Sequence, residues 1–344
     1  MRLSLAAAAL ALLGARAWAA GNIVTVRAVG DIILAAEPRP SRRDAPPLEG
    51  VRGLLRGADI RFGNLEGTLC DGPRPAKCGP GAADCYAFRV GTHQSAALRD
   101  AGFDVLSLAN NHILDFGEAC RSQTERALDD AGILWSGRPR TAARFERGGI
   151  TFSMLAFHAS AHTNSMLDHA AAAALVRREK AAGRLVLVSF HGGAEGPQAQ
   201  RTPLGRELHL GENRGSVVAF ARAMVDAGAD LVLGSGPHVL RAMELYKDRL
   251  IAYSLGNFAA YRAYDFSDLE GIGVVLEAGL GPDGRFVSGR LVPTRLLAEG
   301  RPAYDRAGRA LGLVRRLSRL DFPATGVTVA PDGTLGRAAP SSTP

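Results

Sequence analysis

The chain has no concentrated run of lysine or arginine and no aromatics interleaved with basic residues; aromatics make up only 6% of it. Both absences argue against a nucleic-acid partner, since duplex phosphates need a basic stripe and single strands need stacking platforms. It also lacks an apolar stretch of the roughly 20 residues that a membrane-spanning helix requires. Cysteine is scarce, with four in 344 residues, and no spacing is the tight Cys-x-x-Cys that builds a thiolate zinc cluster. No long Pro/Gly/Ser linker divides the sequence. What is abundant is apolar: hydrophobic residues are 47% of the chain, enough to fill a substantial core at this length.

The first twenty residues, MRLSLAAAALALLGARAWAA, place one early arginine before the uncharged run Leu3–Leu13, then Ala17-Trp18-Ala19, a small-x-small cleavage pattern. Residues 1–20 are expected to be a secretory signal peptide. An uncleaved anchor is the alternative, but the run covers only about half of a bilayer core, and no cysteine follows for lipid attachment. Cleavage removes Arg2 and Arg16 and no acid, so the net charge falls from +7 to +5. Such an excess is compatible with a polyanionic polymer or a phosphate substrate without requiring either. Cys70, Cys78, Cys85 and Cys120 would then enter an oxidising compartment, where two disulfides are expected. Three pairings are open; the stretch CDGPRPAKCGPGAADC is the long loop that needs constraint.

Read for periodicity, NIVTVRAVGD and ADIRFGNLEG predict strands ending at Gly30-Asp31 and at Asn64-Leu65-Glu66. HQSAALRDAG predicts a helix with a glycine stop ahead of the strand FDVLSLA, and GEACRSQTERALDDAG another ahead of ILWSG. In the second half RLVLVSF reads as a buried strand after an alanine-rich helix around 166–182, and VVAFARAMVDAGADLVLG as helix then strand. These repeats predict βαβ construction and a largely parallel region. Hairpins are mixed in at Gly148-Gly149, Lys247-Asp248 and Pro282-Asp283-Gly284. One α/β domain is expected over 21–325, followed by a flexible C-terminal tail over 326–344 where Pro, Ser and Gly accumulate.

Polar residues punctuate the strand ends: Asp31, Glu66, Asn110-Asn111-His112, His191 with Glu195, His238 and Asn257. In open α/β sheets the carboxyl ends of strands converge on one crevice, so a shared site is the expectation. Singly, each has a structural explanation: Asp31 as a turn or cap residue, Glu66 as a solvated loop acid, Asn111 and the histidines as satisfied interior groups. Together, two acids, an amide and three histidines are the oxygen and nitrogen donors that hard-to-borderline divalent ions prefer.

The segments AVGDIIL, NLEGTL, SLANNHILDFG, SFHGGAE, GSGPHVL and SLGNF resemble, in order and over about residues 24–260, the CapA/PgsA family of bacterial capsule (poly-γ-glutamate) synthesis proteins, a branch of the calcineurin-like metallophosphoesterase superfamily. The resemblance implies a four-layer α/β/β/α sandwich of metallophosphoesterase type with a divalent-metal site on loops at the strand ends. Asp31, Glu66, Asn111, His191 and His238 are implied as ligands of one or two ions, with Mn, Fe and Zn equally suited. His112 is implied as the acid facing the scissile bond, with Asp115 either holding its tautomer or capping the next helix. Glu195 is implied to orient His191, and Asn110 and Asn257 to contact substrate. The loop closure seen in relatives implies Cys78 with Cys85, leaving Cys70 for Cys120.

Two departures from the superfamily pattern are visible: Ile33 stands where a histidine follows the first Asp, and Ser235 follows Gly234 where the closing motif has Gly-His. A two-metal hydrolase clamps attacking and leaving oxygens between ions about 3.5–4 Å apart, so losing two imidazoles weakens one or both positions. The implied function is an exported capsule-synthesis protein, periplasmic or extracellular, acting on an anionic polymer or a phosphate-bearing small substrate. Its chemistry would be phosphate-ester hydrolysis or a related acyl or amide transfer. The alternatives are a general exported phosphatase or nucleotidase, and a non-catalytic scaffold that binds the polymer or a membrane capsule synthase.

Overall fold

The structure, a computed structural model, describes residues 23–34, 48–72, 74–79, 85–263 and 268–338. The signal peptide expected over 1–20 lies outside the described residues.

Parallel pairing forms the middle of each of two large sheets. In the first, Val24–Ile33 runs parallel to Ile60–Leu65, then come Val105–Ser107 and Leu134–Ser136. Its other flank is antiparallel, through Ile272–Leu280, Phe286–Leu296 and Pro302–Tyr304. In the second, Leu185–His191 lies between Ile150–His158 and Leu231–Ser235, both parallel to it. Antiparallel edges close that sheet at Ala143–Arg147 and Met243–Tyr246. The fold is mixed α/β, with parallel centres and hairpin margins. At the Lys247-Asp248 hairpin both residues take positive φ, 48° and 61°, the geometry that matches a two-residue turn to strand twist.

Strand side chains alternate sides, and here the two sides bury against different partners. Val24, Val26 and Ala28 of the first sheet meet Phe152, Met154, Leu187 and Leu233 of the second in one shared cluster. Val29, Ile32 and Leu106 pack instead with Leu98 and Leu128, from the helices Ser95–Ala101 and Gly117–Asp130. Val186, Val188 and Phe190 pack with Val176 and Phe220, from the helices His169–Ala181 and Val217–Asp226. Burial on both faces explains why LVLVSF is an unbroken apolar run rather than an alternating one. Among the described residues no helix is long and apolar enough to cross a membrane.

The C-terminus corrects the sequence reading. Residues 326–338 are not a flexible tail: Thr328–Val329 pairs antiparallel with Leu335–Gly336, and Val327, Val329 and Leu335 are buried in the cluster between the sheets. Pro331-Asp332-Gly333, which reads as loop composition, is the turn of this small hairpin. Residues 339–344 lie outside the described residues. Leu335→Ala is therefore expected to destabilise the protein by about 2–5 kcal/mol, the range for emptying a buried leucine site, in chemical denaturation; a change within about 0.5 kcal/mol would mean the hairpin is dispensable.

Glu179, on the His169–Ala181 helix, is buried and accepts from Arg144 Nε and Nη2 at 2.8 and 2.6 Å and from Ser153 Oγ at 3.1 Å. The Arg144 guanidinium, outweighing burial, brings its carboxyl from 4.5 down to about 2. A depressed carboxyl pKa stabilises the fold above pH 4.5, and that contribution is lost as the pH falls toward 2. Glu179→Gln is expected to flatten this acid loss when urea unfolding is followed against pH. Parallel profiles for the two proteins would exclude the pair as its cause.

Candidate metal centre

Register brings the polar strand ends to one place. Asp31 lies opposite Asn64 on one side and, on the other, Asn257, the first residue of a short parallel strand Asn257–Ala260; on the second sheet His191 lies opposite Ser235 and His158. With the sheets face to face, the Gly236 N–H donates across to Asp31 Oδ2 at 3.3 Å. Two glycines permit close backbone packing at the strand ends of each sheet: a Cβ on Gly30 would sit 1.8 Å from Gly256 O, and Gly236 combines φ +113° with a Cβ position 2.8 Å from Gly192 N.

Asp31, Glu66 and His191 each offer a ligand atom within 4.8 Å of the others. Glu66 is the focus. Its Oε1 lies 3.7 Å from His112 Nε2, 3.7 Å from His191 Nε2 and 3.6 Å from His238 Nε2. Yet neither Glu66 oxygen has a hydrogen-bond partner, and neither do His191 Nε2 and Asn111 Oδ1, although all four atoms are buried. Buried polar atoms are nearly always paired, and carboxylate oxygen, imidazole nitrogen and amide oxygen are together a donor set for a divalent ion. The residues present therefore fit a metal.

The surrounding contacts aim these donors. Asp31 Oδ1 accepts from Asn64 Nδ2 at 2.8 Å. Burial opposes its charge, but His191 and His238 outweigh that and hold Asp31 well below the usual carboxylate range. Glu66 is driven the other way, mainly by burial, to well above its ordinary value. His238 sits at φ +58°, an uncommon conformation for a residue with a side chain. Its Nδ1 is held by Asn257 Oδ1 at 3.0 Å, with Asp31 Oδ2 at 3.3 Å, so Nε2 is turned toward Glu66. His112 Nδ1 donates to Asp115 Oδ2 at 2.7 Å, while Phe88 N–H donates to the same oxygen at 2.7 Å and Lys77 Nζ lies 2.7 Å from the other. Burial pushes the imidazoles of His112 and His191 down, toward the neutral form.

Asp31, Glu66, His112, His191 and His238 thus come together, and Asn111, His112 and His238 line an adjoining cleft of ≈ 620 Å³. Of the two readings of Asp115, the structure has the tautomer-holding contact; the helix that follows begins without a side-chain cap. Glu195 is placed differently from the expectation. It pairs with Arg214 Nη2 at 2.9 Å and His209 Nε2 at 3.2 Å and lies 3.9 Å from His238 Nε2, rather than orienting His191. Asn110 and Asn257, expected as substrate contacts, are hydrogen-bonded within the fold. Asn110 donates to Leu65 O at 2.8 Å and accepts from His112 N–H at 3.1 Å, and Asn257 donates to Glu270 O at 3.1 Å; both are buried. His191 Nδ1 is instead contacted by Asn64 Nδ2 and Ser235 Oγ, each at 3.2 Å.

Sequence reasoning placed Asn64 at a strand end without a role and overlooked His158, Lys77, His209 and Arg214. Asn64 had a signal, since it stands two residues before Glu66 at a strand end and so faces the same way. His158 ends an apolar strand like His191, and donates from Nδ1 to His191 O at 2.8 Å; burial brings its pKa down to about 3. Disulfides join Cys70 to Cys120 and Cys78 to Cys85; the second stands between Lys77 and Tyr86, both on the cleft wall.

Residues 19–262 match the family model for the bacterial capsule synthesis protein PGA_cap. This chain belongs to that family. Among curated capsule-synthesis relatives, it is 32% identical over 257 residues to the PGA biosynthesis protein CapA of Bacillus subtilis, covering 69% of this chain and 63% of the relative. It is 34% identical over 179 residues to the capsule biosynthesis protein CapA of Bacillus anthracis, covering 47% and 41%. The match therefore spans less than two thirds of either relative. A solved structure of a putative 5′-nucleotidase from Staphylococcus aureus aligns over 86% of this chain and 58% of that one, at 12% identity and a TM-score of 0.48.

A raised Glu66 pKa in this capsule-family protein means that the carboxylate subtracts stability above its ordinary value of 4.5. In metal-free protein at neutral pH, Glu66→Gln is expected to stabilise by about 1–3 kcal/mol, the scale of an unsatisfied buried polar group, and to abolish any stabilisation by added Mn²⁺ or Zn²⁺. Thermal melts with and without ion check both. A destabilised metal-free variant would show that the carboxylate is satisfied within the fold.

Proposed function

We propose that this protein acts in bacterial capsule synthesis outside the cytoplasm, as a metal-dependent hydrolase or transferase working on an anionic substrate. The observation that carries the reading is Glu66, buried among three imidazole Nε2 atoms with no hydrogen bond to either oxygen. Asp31, Glu66, His191, His238 and Asn111 would hold the ion. When bound, a divalent metal supplies Lewis acidity and lowers the pKa of water.

The chain's own residues supply the rest. Asp115, pinned by the Phe88 N–H and Lys77, fixes the His112 Nδ1 proton, so neutral His112 presents Nε2 as a proton acceptor. Once protonated there, it is the donor that a leaving group needs. The Phe88 ring, with its centroid 4.2 Å from that of His112, shields the imidazole from water. Two disulfides suit an oxidising compartment, and poly-γ-glutamate, a polyanion, suits the family. Ile33 and Ser235, which replace expected imidazoles, favour a second reading in which the site binds polymer without turning it over.

The test is elemental analysis beside hydrolysis of p-nitrophenyl phosphate by purified protein, with Asp31→Ala and His112→Ala. Wild type is expected to carry Mn, Fe or Zn, Asp31→Ala to lose it, and His112→Ala to keep it while losing roughly 10²–10⁴-fold in rate. Metal without turnover, accompanied by capture of poly-γ-glutamate, selects the binding scaffold. A wild type that takes up no metal rejects the proposal.

A further inference from the structure

Arg214 lies on the strand Glu212–Gly215, which pairs with Glu207–His209 in a hairpin beside the cleft. Its backbone is fixed against the second sheet, because the Gly193 N–H donates to Arg214 O at 3.0 Å. The side chain is 5% exposed, yet it lines the cleft. A guanidinium has five N–H donors in a planar fork, and this one is only partly used. Nη2 reaches Glu195 Oε1 at 2.9 Å, and Nε lies 3.2 Å from Oε2 of Glu212, whose side chain is 66% exposed. Nη1 and Nε are both buried and neither makes a hydrogen bond.

Glu195 does not account for the whole fork, because its other oxygen is taken by His209 Nε2 at 3.2 Å. Arg214 lines the same cleft as Asn111, His112 and His238, and its partner Glu195 lies 3.9 Å from His238 Nε2, which sets it beside the candidate metal centre. Lys77, the cation on the same cleft, is held by Asp115 at 2.7 Å. A preorganised, largely desolvated fork with an unmatched edge suits a planar or tetrahedral oxyanion, for which paired N–H donors give both strength and direction.

We propose that Arg214 is the anion-recognising residue of this cleft, taking a carboxylate or phosphate oxygen of the substrate on its Nη1 edge. The inference rests on the cleft being the substrate site, as proposed above. Isothermal titration calorimetry of Mn²⁺-loaded and of metal-free protein tests it, with inorganic phosphate and glutarate as probes. Arg214→Gln is expected to weaken binding tenfold or more with metal content unchanged, and Arg214→Lys, which keeps the charge and loses the fork, to fall between. Loss for phosphate alone marks a phosphate group as the ligand, and loss for glutarate alone a carboxylate.

Wild-type affinity for both probes in Arg214→Gln overturns the inference, and so does metal lost in step with affinity, or a wild type that binds neither probe. Should Arg214→Gln not fold, judged by circular dichroism, the same criteria pass to Arg214→Lys. If the wild type takes up no Mn²⁺, the metal reading fails, and the comparison on metal-free protein still decides the role of Arg214.

Discussion

A single buried carboxylate, that of Asp31, ties the two sheets together. Burying an ionised acid is costly unless donors surround it, and here the donors come from both sides. Asn64 Nδ2 donates to it from the first sheet and the Gly236 N–H from the second, where the Nδ1 edges of His191 and His238 also face it at 3.6 and 3.3 Å. Closing the sheets and assembling the site are therefore one event. The apolar cluster between the sheets drives the approach, and the tips of the strands must then arrive in register or leave Asp31 unsatisfied.

Glu66 shares the burial of Asp31 and has the opposite electrostatics. Asp31 is satisfied and kept charged; Glu66 is unsatisfied and pushed toward its neutral form. Neighbouring carboxyl groups whose environments drive them apart are a mark of a site with divided roles. Folding alone gives no reason to place three imidazoles around an acid without letting one donate to it at hydrogen-bond distance. Such an arrangement costs stability, and costs of that kind are retained where a function needs them.

Much of this was legible in the sequence, for a physical reason. Apolar runs mark buried strands, and a polar residue at the end of one must find a partner, so Asp31, Glu66, His112, His191 and His238 announced themselves by position. The partners of those residues were harder to read. Asn110 and Asn257 carry the same signal as a ligand would, because a buried amide that braces a histidine and one that touches substrate obey the same rule. Glu195 follows His191 closely, but Gly192 and Gly193 turn the chain, with Gly193 at φ +89°, and deliver the acid to the Glu207–Gly215 hairpin instead. That hairpin brings His209 and Arg214 to the cleft from outside any apolar strand, so periodicity gave them no mark. The C-terminal hairpin was hidden by its turn composition, which outweighed three well-spaced apolar residues.

Ile33 and Ser235 have structural consequences of their own. Ile33 is fully buried with Phe88, Ala260 and Ala263, so the first strand uses this position to back the ring that lies on His112. Ser235 places its hydroxyl 3.2 Å from His191 Nδ1 and donates to Phe190 O, bracing that ring at the second strand tip. Each of the two side chains supports an imidazole of the site. The ligand atoms gather accordingly: among the described residues one group of three, Asp31, Glu66 and His191, meets the spacing for an ion. The other polar side chains, Asn111, His112, Glu195, Arg214 and His238 among them, stand around that group on the wall of the cleft.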